Sequence, residues 1–194
     1  MRPHALRVPI ALTALRGALG PAVVLLALVW PNVAAFAVCL TLAFLSDYFD
    51  GVLARRLGVA TPTLRRMDSI ADTVFYVSAL FAAWYLQSSI LRPYLLALLV
   101  LAAVEVARYA YDFLKFGKEA SYHMWSSKLW GLTLVLAFFA LLVYGRAGWP
   151  VSLAIYVGIA ADLEGLAISR VLPRWTTDVR TIFHALNLRT EQAG

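Results

Sequence analysis

An all-helical integral membrane bundle of six transmembrane helices, with short interfacial helices at the termini, is the fold the sequence predicts, and three observations predict it. Mean hydropathy is +0.75 with 62% hydrophobic residues, far above what a water-facing surface tolerates. The apolar residues gather into runs of about twenty, the length that crosses about 30 Å of hydrocarbon as a helix. Charged residues make up only 14% of the chain and collect mainly towards the ends of those runs. Six such spans with short loops use up the 194 residues, so residues 1–194 are expected to form a single membrane domain.

The elements follow in order. The basic opening MRPHALR leads into an apolar run that continues to Trp30. No small-residue cleavage site ends that run and further spans follow, so it is expected to be a retained first helix rather than a secretory signal. Arg16 within it is costly against lipid and is expected to face the bundle interior or the interface, with a snorkelling anchor as the alternative. Pro31 and Asn32 break the chain, and a second span runs from about Val33 to Leu53, closing on Arg55 and Arg56. Residues 57–63, with Gly58 and Pro62, form a short turn that sends the third span back antiparallel, from near Leu64 to about Gln87. A fourth span is expected from about Pro93 to Ala110, a fifth from Trp125 to Tyr144 and a sixth from Pro150 to Leu172. After Pro173, residues Val179, Ile182, Phe183 and Leu186 recur at helical spacing with Arg180 and Arg189 among them, the pattern of an interfacial helix. Cys39 lies inside an apolar run and, being the only cysteine, serves packing and not an internal disulfide.

Six spans put both termini on one side. Of the 17 Lys and Arg, all but Arg92 and Arg146 fall on that side, so the positive-inside rule places the termini at the cytoplasmic face of a bacterial-type inner or plasma membrane. The net charge of +6 suits an anionic lipid surface and anionic substrates. Because the charges follow topology and form no continuous patch, nucleic-acid binding is not expected.

Four of the 11 acidic residues, Asp47, Asp50, Asp68 and Asp72, lie in the single stretch SDYFDGVLARRLGVATPTLRRMDSIAD. Asp47 and Asp50 stand three apart on one helix face, and Asp68 and Asp72 four apart on another. Antiparallel helices would bring the two pairs together at the cytoplasmic end. Like charges that close require a cation between them, and hard oxygen donors suit Mg²⁺, Mn²⁺ or Ca²⁺. Gly51 leaves space for a close approach by a ligand, and Arg55 offers a fixed fork for phosphate oxygens. Metal and arginine together point to a phosphate-bearing substrate.

These residues resemble the signature of the CDP-alcohol phosphotransferases, DxxDGxxAR followed after eight residues by GxxxDxxxD. Asp47, Asp50, Gly51, Ala54, Arg55, Asp68 and Asp72 match it, and Leu64 stands in place of the second glycine. The segment PIALTALR is similar to the family's opening PNxLTxxR at Pro9, Leu12, Thr13 and Arg16, with Ile10 where asparagine is usual. The resemblance implies transfer of a phosphate-linked group from a CDP-linked donor to an alcohol, with release of CMP. It implies one or two Mg²⁺ or Mn²⁺ ions on Asp47, Asp50, Asp68 and Asp72, a nucleotide pocket lined by Gly51, Ala54 and Arg55, Asp72 as the general base, and a homodimer. The hydrophobic surroundings favour CDP-diacylglycerol as donor, hence a membrane phosphatidyltransferase of phospholipid biosynthesis.

The acceptor is a small alcohol whose identity stays open. Arg65, Arg66, Arg108 and Lys128 are candidates to bind a phosphorylated polyol, although each also has an anchoring explanation. Lys128 lies in SSKLWG, which resembles the place where family members carry a lysine near the acceptor pocket. Glu105, three residues before Arg108, is expected to neutralise it, and Glu164 to pair with a basic residue. His123 has no metal-ligand partners at suitable spacing and is assigned no role. The alternative reading is a non-enzyme, either a divalent-cation transporter or a metal-binding family member inactivated at Leu64. Transport predicts acids strung along a path across the bilayer, whereas these four gather at one end.

Overall fold

A computed structural model describes residues 7–58 and 61–193; the side chains of Arg55, Pro62, Arg65 and residues 191–193 lie outside the described set. The described residues form helices and no strands. They divide into two compact units. The first holds α1 (Arg7–Val29), α2 (Val33–Arg56), α3 (Pro62–Leu91) as far as Ile90, and the segment Phe138–Arg146. The second holds α4 (Leu95–Phe116), α5 (Trp125–Phe138) as far as Ala137, α6 (Trp149–Val171) and α7 (Ile182–Ala193). An interfacial helix before α1 would fall on residues 1–6, outside the described residues; near the C-terminus a helix, α7, forms from Ile182, and Val179 and Arg180 precede it.

Among the described residues five stretches are long and apolar enough to cross a membrane: Arg7–Val29, Val33–Ala54, Arg66–Phe116, Trp125–Val143 and Trp149–Val171. The third is 51 residues long and contains α3 from Arg66 onward and all of α4, joined by the 3-10 turn Arg92–Tyr94. The expected end of the third span at Gln87 coincides with a kink there (φ −130°, ψ 31°), beyond which the helix resumes to Leu91. Helix α4 runs past the expected Ala110 to Phe116, where Gly117 adopts φ +69° and donates its N–H to Phe113 O at 2.9 Å.

Local chemistry fixes the hairpin that carries the acids. The Asn32 side chain caps α2 by accepting the Ala35 N–H at 3.0 Å. Gly58 at φ +65° follows the C-terminus of α2, a conformation that costs glycine little. Thr61 then caps α3, its Oγ1 accepting the Leu64 N–H at 3.2 Å, with Pro62 as the first helical residue.

In the first unit α1 packs along α2. Val23, Ala27, Phe36 and Leu40 are buried there. At Gly20 a Cβ would stand 3.1 Å from the Val74 carbonyl oxygen, so α1 and α3 touch nearly backbone to backbone through a small residue. In the second unit α6 packs against both α4 and α7, over a core of Met124, Ile168, Leu172, Val179 and Ala185. Leu96, Val106, Leu114 and Tyr156 are largely exposed, as residues facing hydrocarbon are.

Candidate active site

Helices α1, α2 and α3 each supply part of one polar cluster inside the first unit. Helical spacing puts Thr13 and Arg16 on one face of α1, Asp47 and Asp50 on one face of α2, and Asp68 and Asp72 on one face of α3. The three faces converge on the Arg16 guanidinium. Its Nη1 donates to Asp47 Oδ1 at 2.5 Å, and its Nη2 to Asp50 Oδ2 at 3.2 Å and to Asp68 Oδ1. Its Nε lies 3.0 Å from Asp72 Oδ1 as an ion pair outside hydrogen-bond alignment. The Thr13 hydroxyl is shared between Pro9 O at 3.1 Å and Asp50 Oδ2 at 3.3 Å.

The four predicted carboxylates are therefore brought together, and the cluster is partly exposed. Arg16 is 1% exposed and Asp50 5%, whereas the side chains of Asp47 and Asp68 are 47% and 36% exposed. A ligand can reach the outer carboxylates while Arg16 forms the floor. Four carboxylates thus face one guanidinium.

The donor set fits a hard divalent cation. Asp47, Asp50 and Asp68 each offer one oxygen, and these lie within 4.8 Å of one another. Oxygens on opposite sides of one Mg²⁺ stand about 4.2 Å apart, and those around Ca²⁺ about 5 Å. Asp72 stands outside this trio, at the Nε side of Arg16.

Around the acids, Ala54 is buried one turn after Asp50, and Gly51 is half-buried beside it. Leu64 is 7% exposed and lies four residues before Asp68, so the position of the signature's second glycine is filled by an inward side chain. The side chains of Arg55 and Arg65, predicted for nucleotide and acceptor, lie outside the described residues. Arg66 is exposed.

Arg108 and Lys128 belong to the second unit, where each has a partner. Arg108 Nε lies 2.9 Å from Asp162 Oδ1, and its guanidinium carbon is 4.6 Å from the centre of the Tyr109 ring. The partner is thus an acid on α6, where the sequence pointed to Glu105. Lys128 Nζ sits 4.5 Å from the centre of the largely exposed Trp125 ring, a cation–π contact. Among the described residues Glu164 pairs with no base: it accepts the Ser126 hydroxyl at 2.5 Å and the Ile182 N–H at 3.3 Å, tying α5 and the start of α7 to α6. His123 meets Asp178, Nδ1 to Oδ1, at 3.0 Å.

Two features carry more than sequence reasoning gave them. Thr13 holds Asp50, and its position three residues before Arg16 on an otherwise apolar face was the available signal. Asp112, fully buried on α4, accepts the Ser169 hydroxyl, and Ser169 in turn meets Tyr122 at 3.1 Å. Nothing in the spacing of these three pointed to a shared network.

Comparison with known proteins bears on the first cluster. A family model described as CDP-alcohol phosphatidyltransferase matches residues 6–161, a span that contains all four carboxylates and Arg16. No curated protein and no solved structure matches the chain.

Proposed function

The chain belongs to the CDP-alcohol phosphatidyltransferase family, and from that premise we propose that it moves a phosphatidyl group from CDP-diacylglycerol to a small alcohol, free or phosphorylated, with release of CMP. The observation that carries this reading is the convergence of Asp47, Asp50, Asp68 and Asp72 from two helices on one partly open cluster. A donor with two acyl chains can leave them in the bilayer while its head group enters from the exposed carboxylate side.

Asp47, Asp50 and Asp68 would hold one or two Mg²⁺ or Mn²⁺ ions, which supply charge neutralisation on the diphosphate and on the departing CMP. Gly51 and Ala54 leave room for the nucleotide, and Arg55 holds phosphate oxygens. Asp72 takes the proton of the acceptor hydroxyl while that oxygen bonds to the phosphorus of the phosphatidyl group; the bond from phosphorus to the CMP oxygen breaks, and CMP leaves with the electron pair. The helices cross the membrane six times, with the termini and this site cytoplasmic, and the protein works as a homodimer.

The test is CMP release by the purified protein in lipid nanodiscs, given CDP-diacylglycerol, Mg²⁺ and a panel of alcohols. Release is expected with at least one acceptor, abolished by chelation and restored by Mg²⁺ or Mn²⁺. In Asp72→Asn it should fall by about 10²- to 10⁴-fold, the usual contribution of a general base. Metal-dependent ion flux with no CMP from any acceptor would overturn the reading in favour of a transporter.

A further inference from the structure

The three carboxylates spaced for a divalent cation, Asp47, Asp50 and Asp68, are the same three held by the Nη atoms of Arg16. A buried guanidinium and a metal ion at these carboxylates repel one another, and the three side chains that would ligate the ion are the ones Arg16 already holds. We propose that Arg16 is a resident counter-cation that a divalent ion must displace from Asp47, Asp50 and Asp68. The inference rests on the reading of this cluster as a metal site and adds to it a competition within the chain.

Two consequences follow from the geometry. The first concerns the metal-free protein. Four carboxylates gathered without a cation would repel one another, and Arg16, at 1% exposure, supplies that cation from the floor of the cluster. It keeps α1, α2 and α3 joined at the site until metal arrives. The second concerns Asp72. Its partner is Nε, which keeps its place when rotation about Cδ–Nε swings Nη1 and Nη2 away from the trio, so the ion pair with Asp72 survives the exchange. Thr13, which holds Asp50 independently of Arg16, preserves that carboxylate's position through the exchange.

Mn²⁺ binding and thermal unfolding of the protein in nanodiscs test the proposal without reference to turnover. Arg16→Gln removes the competing charge and should bind Mn²⁺ about tenfold or more tightly than wild type. Without metal it should unfold at a lower temperature than wild type, and saturating Mn²⁺ should recover most of that loss. Arg16→Lys keeps one charge on a single nitrogen and should bind Mn²⁺ with intermediate affinity; it carries the test if the glutamine variant fails to fold. Mn²⁺ affinity unchanged or weakened in the folded variants, with normal binding by wild type, overturns the exchange and leaves the metal reading standing. Wild type that binds no Mn²⁺ defeats both.

Discussion

Replacing Arg108 by Met should lower the unfolding temperature of the protein and leave acceptor affinity nearly untouched. Arg108 Nε and Asp162 Oδ1 are 2.9 Å apart, and the side chains are only 14% and 3% exposed. At an effective dielectric of about 20, two unit charges at that distance attract by about 6 kcal/mol, most of it offset by the cost of taking both out of water. Removing one partner leaves the other charge buried alone, which costs about 3–5 kcal/mol. The Arg108 stem adds packing: its Cδ lies 2.9 Å from where a Cβ on Gly165 would stand. At about 2–4 °C per kcal/mol for a chain of this length, unfolding should shift down by about 6–20 °C. Intrinsic tryptophan fluorescence during heating in nanodiscs measures that shift, and CMP release at varied acceptor concentration measures KM. The double variant Arg108→Met with Asp162→Leu removes both charges and should recover most of the lost stability. An unfolding temperature within about 2 °C of wild type, together with a KM raised tenfold, would refute this reasoning and assign Arg108 to the acceptor.

Two further outcomes are expected. Gly158→Ala puts a Cβ 2.6 Å from Trp130 Nε1 and 2.9 Å from Leu101 Cδ1, so it should cost about 1–3 kcal/mol in thermal unfolding, whereas Gly17→Ala, with its nearest contact at 3.8 Å, should be nearly neutral. Leu64→Gly empties a buried position of the signature and should destabilise the protein by about 2–5 kcal/mol while lowering KM for the CDP-linked donor; an unchanged KM would show that this side chain does not narrow the nucleotide pocket.

What the sequence made legible is what lies at helical spacing within one segment. The pairs Asp47 with Asp50 and Asp68 with Asp72 share faces because three and four residues make about one turn, and Gly58 and Pro62 marked the reversal that joins them. Arg16 was half legible: its cost in lipid pointed inward, but helix α1 alone could not say which acids it would meet. Side chains that pair across helices were not legible. Arg108 reads as the neighbour of Glu105, yet Asp162 on α6 pairs with its Nε, and Glu164 serves a hydroxyl and a backbone amide in place of a base. Helix α4 outran its expected end at Ala110 because the polar residues of its last turns find partners in the fold. In the structure Asp112 is buried against Ser169, and Lys115 Nζ donates to the carbonyls of Ser169 at 2.8 Å and Arg170 at 3.1 Å.

The two oxygens of Glu164 are committed to different helices, one to the Ser126 hydroxyl of α5 and the other to the first amide of α7. Ala185 of α7 sits fully buried in the same core as Ile168 and Leu172. The C-terminal helix is thus no trailing appendage that can peel away by itself: detaching it strands half of a carboxylate and opens that core. Helices α5, α6 and α7 should lose their protection against hydrogen exchange as one cooperative block.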